Sequence, residues 1–241
     1  MEQKTKTLLL TGASGGIGRA VLPILASAGY NLILQAYSRA EELLSFVNKI
    51  GLENVRVIRQ SLQSFEDVQQ LKETIGQSVD VVVANAGISH SAPAHKLDHH
   101  QWQRTLDINL SVPFYLSQAF FNDMRANQFG RIVFISSVVG CTFVRGTSAY
   151  AASKAGLTGL ARALAADWAA FGITVNCIAP GYMDVGLISQ IPAEMLNYFK
   201  EKSAQNRLGP AHEIGHAIIF LASENCSFIT GQTLHINGGV V

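Results

Sequence analysis

Tyr150 and Lys154 stand four residues apart in Tyr150-Ala151-Ala152-Ser153-Lys154, and Ser137 precedes them by thirteen residues. On a helix that spacing puts the phenol and the ammonium on one face. An unperturbed phenol ionises near ~10, too high for easy proton exchange at neutral pH, and a neighbouring ammonium favours the phenolate and lowers that value. Such a pair could give a proton to an oxygen on which negative charge develops. A Tyr-x-x-x-Lys pair also arises on ordinary solvated helix faces. The alanine-rich surroundings and the upstream Ser137, just past the apolar run Ile132–Ile135, favour the reactive reading.

A second group of residues suits a phosphate. Thr11-Gly12-Ala13-Ser14-Gly15-Gly16-Ile17-Gly18 follows the apolar run Thr7–Leu10, and reads as a strand turning tightly into a helix. Glycine tolerates positive φ and has no Cβ to hold a ligand away, so backbone amides and the positive helix end can meet a pyrophosphate. The spacing departs from G-x-G-x-x-G, because Gly12 and Gly16 enclose three residues and Gly18 follows one later. Alone, the run serves equally well as a turn that reverses a strand.

The elements that must carry these residues are visible as alternating runs. Leu8–Leu10, Leu32–Leu34, Val55–Ile58, Val79–Val83, Ile132–Ile135, Thr174–Ile178 and Thr233–Ile236 read as strands, several of them apolar throughout as parallel strands covered on both faces should be. Helical periodicity occupies about 16–28, 40–50, 64–76, 100–127, 149–171 and 211–223. This alternation predicts one doubly wound α/β domain over 1–241, with ligands at the carboxyl ends of the strands. The 241 residues are 48% hydrophobic and 15% charged, with a net charge of +1, which argues against nucleic acid and acidic membranes as partners. No stretch has the length of a membrane span or a signal-peptide core. Cys141, Cys177 and Cys226 form no C-x-x-C pair and fit free thiols in the cytoplasm.

Taken together, these residues resemble the short-chain dehydrogenase/reductase family over essentially the whole chain. The T-G-x-x-x-G-x-G motif stands at Thr11–Gly18, the N-A-G turn at Asn85-Ala86-Gly87, the D-I-N triplet at Asp107–Asn109, the P-G turn at Pro180-Gly181, and the closing segments at Ile229–Gln232 and Asn237–Gly239. The resemblance implies a single-domain Rossmann-type doubly wound parallel sheet of about seven strands with helices on both faces. It also implies the catalytic set Asn109, Ser137, Tyr150 and Lys154. In that set Tyr150 gives the proton, Lys154 also holds the nicotinamide ribose, Ser137 bonds the substrate oxygen, and Asn109 positions a water that refills the proton through Lys154. The implied cofactor contacts are Gly12, Ser14, Gly15, Gly16, Ile17 and Gly18, then Tyr37, Ser38, Arg39, Ser61 and Leu62, then Asn85, Ala86 and Gly87, with Tyr150, Lys154, Pro180 and Gly181.

An acid at the end of the second strand would select NADH by binding the adenosine 2′-hydroxyl. Ala36-Tyr37-Ser38-Arg39 offers none and supplies a guanidinium, which pairs well with a 2′-phosphate, so NADPH is the expected cofactor. Gly15 stands where many NADP-using relatives carry a basic residue, and Ser61 where relatives have an Asp or Asn against adenine. Among subfamilies the chain looks most like the 3-oxoacyl-acyl carrier protein reductases. This implies reduction of a carrier-bound or other 3-oxoacyl thioester, with a small free ketone or a non-catalytic dinucleotide-binding subunit as alternatives. The segment 182–208 is expected to cover the substrate as a lid, its apolar face formed by Ile191, Met195, Leu196, Tyr198 and Phe199 behind Pro192.

Carrier docking departs from the family pattern, because Gln128-Phe129 and Phe171 stand where basic residues are usual. Arg125, Arg131, Arg145 and Arg207 are the candidates to compensate, and an exposed Phe171 would suit contact with another subunit. Resemblance implies a homotetramer, and the small-residue face Ala155, Gly159, Ala163 and Ala166 permits close helix packing. His212-Glu213-Ile214-Gly215-His216 matches the H-E-x-x-H zinc signature. The same helix must turn Ile214, Ile218 and Leu221 to the sheet and no third ligand follows, so no metal site is expected. His90, His95, His99 and His100 cluster near the expected site mouth and read as solvated loop residues, with substrate contact as the second reading.

Overall fold

The computed structural model describes residues 5–186 and 193–240. Seven parallel strands make one sheet: β1 (Thr7–Leu10), β2 (Asn31–Ala36), β3 (Val55–Arg59), β4 (Val81–Ala84), β5 (Gly130–Ile135), β6 (Ile173–Pro180) and β7 (Thr233–Ile236), ordered β3-β2-β1-β4-β5-β6-β7. The four strands β1, β4, β5 and β6 are buried along their whole length, which is why their sequence is largely apolar. Alternate residues still serve opposite faces. Leu9, Val82, Ile132, Phe134 and Val175 meet α3 (Phe65–Ile75), α5 (Val112–Ala126) and α6 (Ser148–Trp168). Leu8, Leu10, Val81, Val83, Val133 and Ile135 meet α1 (Gly16–Ser27), α2 (Ala40–Lys49) and α8 (His212–Ala222).

The chain winds outward from β1 through β2 to β3, then returns to place β4 on the other side of β1. Loops leaving β1 and β4 therefore diverge over the two sheet faces. The crevice between them is where a doubly wound sheet binds ligands.

Two expected boundaries change. The helix expected over 100–127 is α4 (His99–Leu106), a π turn at Asp107–Ser111, and α5; the wider turn breaks the helical register, a feature that recurs at functional sites. The helix expected to reach residue 171 ends at Trp168, and Gly172 follows at φ +72°. A Cβ there would lie 2.2 Å from the Gln128 carbonyl oxygen, so glycine lets the chain drop directly into β6. Among the described residues no helix is long and apolar enough to cross a membrane. Of the expected lid, Ile191, Pro192 and the Met195 side chain lie outside the described residues. α7 (Ala193–Glu201) lies within it and packs Phe199 on Tyr182 at 4.7 Å between ring centroids.

Candidate active site

The glycine turn is built so that four amides point away from the protein. Thr11 N–H donates to Val83 O at 3.1 Å, Gly12 N–H to Gln35 Oε1 at 2.9 Å, Ala13 N–H to Gln35 O at 3.0 Å and Gly15 N–H to Gly12 O at 3.0 Å. The amides of Ser14, Gly16, Ile17 and Gly18 have no acceptor among the described residues. They open α1, whose positive end favours an anion. Close approach holds the turn in place: a Cβ on Gly12, at φ +63°, would meet Ala86 Cα at 2.7 Å, and one on Gly18 would meet Gly12 O at 2.6 Å. Thr11 Oγ1 accepts from the Asn85 and Ala86 amides at 3.1 Å each, and Asn85 Nδ2 donates to Thr11 O at 2.9 Å and Gly12 O at 3.1 Å. The N-A-G turn is thus clamped against the glycine turn. A glycine-rich cradle with four amides open among the described residues fits a dinucleotide pyrophosphate.

At the carboxyl end of β2 the chain passes through Tyr37, Ser38 and Arg39, all exposed. Arg39 opens α2 and makes no ion pair among the described residues. Ser61 accepts from Gln63 Nε2 at 2.8 Å. Among the described residues no carboxylate lines this end of the cleft.

The chemistry-bearing groups come from three elements. β5 delivers Ser136 and Ser137, whose hydroxyls accept from Val139 N–H (Ser137, 3.2 Å) and donate to Lys154 O (Ser136, 2.8 Å). α6 carries Tyr150 and Lys154 one turn apart, with Lys154 Nζ 5.7 Å from the Tyr150 ring centroid. The Lys154 ammonium is 4% exposed and donates to Ile135 O at 2.7 Å. Burial brings its pKa down from 10.5 to about 8, so the charged form still predominates at pH 7. Tyr150 differs from the expectation: burial pushes its pKa up, and the bond with Ser137 pulls it down in smaller measure. Desolvation outweighs that bond, and the Lys154 ammonium is turned to the strand carbonyl.

Asn109 lies in the π turn at 0% exposure, accepts from Ile88 N–H at 2.9 Å, and donates to Ile88 O at 2.8 Å and Ser153 Oγ at 3.1 Å. Both amide hydrogens are spent on the protein. The side chain braces the loop after Gly87 against α6.

A cleft of about 690 Å³ joins these parts. It is lined by every expected cofactor residue from Gly12 to Gly181, and by Ser137, Tyr150 and Lys154; Asn109 stands behind the wall. Gln35, Arg104, Ile108, Val144, Thr147, Tyr182, Met183 and Phe199 also line it. The sequence pattern did not single out Gln35, Arg104 or Met183, since a polar residue inside an apolar strand has no motif. His90, His95, His99 and His100 are exposed and none lines the cleft.

His212 and His216 sit on the exposed face of α8 with ring centroids 6.4 Å apart, and Glu213 lies 3.9 Å from Arg207. Among the described residues no three His, Cys, Asp or Glu side chains gather as metal ligands. Arg131 is withdrawn from any docking role: it is 2% exposed, bonds Gly130 O, Gly172 O and Ser223 O, and stacks on Phe129 at 4.2 Å. Arg125 stacks on Phe171 at 5.0 Å, and Phe121 packs edge-on against the same ring. Phe171 is therefore half-buried rather than open.

The family model described as Enoyl-(Acyl carrier protein) reductase matches residues 12–241. The chain is 35% identical over 236 residues to a 3-oxoacyl-[acyl-carrier-protein] reductase of Rickettsia conorii, covering 98% of this chain and 97% of that protein. It is 35% identical to the Escherichia coli protein of the same name, with 100% and 99% covered, and 36% identical to an acetoacetyl-CoA reductase of Rhizobium meliloti, with 98% of each covered. A crystal structure of a candidate gluconate dehydrogenase from Agrobacterium tumefaciens superposes with a TM-score of 0.91 at 28% identity, over 98% of this chain and 95% of that one. With these matches spanning the glycine turn and the cleft that holds Ser137, Tyr150 and Lys154, the chain belongs to the short-chain dehydrogenase/reductase family and is an NAD(P)-dependent oxidoreductase acting at a CH–OH/C=O carbon.

Proposed function

We propose that this chain reduces a 3-oxoacyl thioester, carried on an acyl carrier protein, to the 3-hydroxyacyl thioester, with NADPH as the preferred cofactor. The observation that carries the proposal is the convergence of Ser137, Tyr150 and Lys154 on one wall of the cleft that begins at the glycine turn. Relatives named for carrier-bound and CoA-bound 3-oxoacyl substrates support the substrate class. Reduced nicotinamide, when bound, supplies the hydride that adds to the carbonyl carbon.

Asn85, Gly87, Pro180 and Gly181 would hold the nicotinamide end. Ser137 and Tyr150 hold the substrate oxygen between them, and Tyr150 gives its proton as negative charge develops there. A phenol kept neutral by burial is in the right state to donate. Lys154, charged at pH 7, stabilises the phenolate left behind and offers the ribose hydroxyls a donor. Asn109 keeps the loop at Ile88 and the turn at Ser153 in register, so that the proton path enters on a fixed frame.

Tyr182, Phe199 and Met183 give the cleft an apolar wall suited to an acyl chain. Arg145, exposed and in no ion pair among the described residues, Arg125, and Arg207 beside Glu213 are the remaining cations for an acidic carrier. The exposed stripe Ala155, Gly159, Ala163 and Ala166 on α6 suits packing against a second copy, and we read the protein as a cytoplasmic homotetramer with free thiols at Cys141, Cys177 and Cys226. A second reading, reduction of a small free ketone or oxidation of its alcohol, is favoured by the likeness to the candidate gluconate dehydrogenase.

The deciding measurement is NADPH oxidation with 3-oxoacyl groups on carrier protein, on a short pantetheine mimic, and as free ketones. The proposal expects kcat/KM for the carrier-bound substrate to exceed that for free ketones at least ~10-fold, about 1.4 kcal/mol of discrimination. Equal values would move the assignment to the free ketone.

A further inference from the structure

Gln35 is a buried polar side chain for which the proton path has no use. It is the fifth residue of β2, 3% exposed, between the wholly buried Leu34 and Ala36. A buried amide is costly unless it is bonded, and this one is bonded to two loops at once. Its Oε1 accepts from Gly12 N–H at 2.9 Å and its Nε2 donates to Gln60 O at 2.6 Å, while its own carbonyl accepts from Ala13 N–H at 3.0 Å. One residue thereby takes the first two amides of the glycine turn and ties them to the chain leaving β3, one residue before Ser61 at the adenosine end of the cleft.

The consequence concerns which amides are left. With Gly12 and Ala13 committed to Gln35, the donors without an acceptor among the described residues are Ser14, Gly16, Ile17 and Gly18, all of which line the cleft. The turn is fixed in that presentation before any anion arrives, and a preformed site spends less binding energy on ordering.

We infer that Gln35 is a positioning residue for the dinucleotide: it sets the pose of the glycine turn and couples it to the adenosine loop, so cofactor affinity depends on it and proton transfer at Tyr150 does not. The inference rests on the dinucleotide reading of the cleft. It is tested with Gln35→Met, which keeps the side-chain volume and loses both amide bonds, and Gln35→Glu, which keeps an acceptor for Gly12 N–H and loses the donor to Gln60. NADPH and NADH dissociation constants are measured by nicotinamide fluorescence, beside kcat and substrate KM at saturating cofactor.

The expected result for Gln35→Met is a dissociation constant raised about 10-fold, with kcat and substrate KM within about 2-fold of the parent. Gln35→Glu should lose less NADH affinity than Gln35→Met, and it carries the test if Gln35→Met fails to fold. Unchanged affinity in a folded variant overturns the inference. So does a loss of kcat as large as the loss of affinity, which would mark a general role in the fold. Failure of the parent protein to bind either nucleotide would sink the dinucleotide reading instead, a separate outcome.

Discussion

Replacing Lys154 by methionine should make this protein inactive and more stable in one step. The ammonium is 4% exposed, and burial holds its pKa near 8 instead of the ordinary 10.5. At about 1.4 kcal/mol per pH unit, keeping the charge in the folded state at neutral pH costs about 3 kcal/mol. Methionine fills a similar volume without the charge, but gives up the bond to Ile135 O, worth about 2 kcal/mol because its donor is charged. The net gain is about 1 kcal/mol, or roughly 2–4 °C in Tm for a chain of this size.

The pH dependence carries its own sign. Between pH 8 and 10.5 the unfolded lysine binds a proton that the folded one has released. Stability of the parent therefore climbs with pH across that window. Below pH 8 the whole penalty stands, and above 10.5 it is gone. The variant lacks this rise, so its advantage should be full at pH 7.5 and should shrink steadily by pH 9.5. Urea unfolding at both pH values, at one fixed protein concentration, measures the difference. A variant no more stable than the parent at pH 7.5, or an advantage that does not shrink with pH, would refute the reasoning.

Tyr150→Phe should lower kcat about 10³-fold while the NADPH dissociation constant stays within about 3-fold, measured by single-turnover kinetics and fluorescence titration; an active variant would remove Tyr150 from the mechanism. Gly18→Ala places a Cβ 2.6 Å from Gly12 O, and should weaken cofactor binding more than about 10-fold in calorimetry while leaving the far-UV spectrum helical. Arg39→Ala should reduce the NADPH-to-NADH ratio of kcat/KM by about 10-fold or more, and a ratio that does not move would assign the 2′-phosphate to other groups. Asn109→Ala deletes three hydrogen bonds of a fully buried amide, so a loss of about 3 kcal/mol by chemical denaturation is expected alongside any loss of rate.

What the sequence displayed most openly was whatever chemistry restricts to few residue types. Glycines at 12, 16 and 18, a tyrosine and lysine on one helix face, and largely apolar central strands each have a local physical cause, and each appears where the pattern put it. Properties that arise from packing were hidden. Arg131 looks like any surface arginine until Phe129 is seen stacked on it and three carbonyls are seen around its guanidinium. Gln35 reads as a stray polar residue in a strand until Gly12 and Gln60 are found on either side of it. The π turn at Asp107–Ser111 follows α4, in which Thr105 is the one buried residue, so there was no apolar period on that side whose break could announce it. The direction of the Tyr150 shift depends on how fully the phenol is desolvated, which spacing alone does not encode.

The split of the sheet at the β1–β4 crevice has an evolutionary consequence. On the proposed function, the residues that would read the adenosine end, Tyr37, Ser38, Arg39 and Ser61, follow β2 and β3 on one side, whereas Ser137, Tyr150, Lys154, Pro180 and Gly181 come from the end of β5, from α6 and from the end of β6 on the other. Mutation can therefore retune the currency of reducing power in one half without disturbing the acid that finishes the reaction in the other. Such modularity makes the three residues after β2 a natural place to exchange cofactor preference by grafting, with the substrate-facing half carried along untouched.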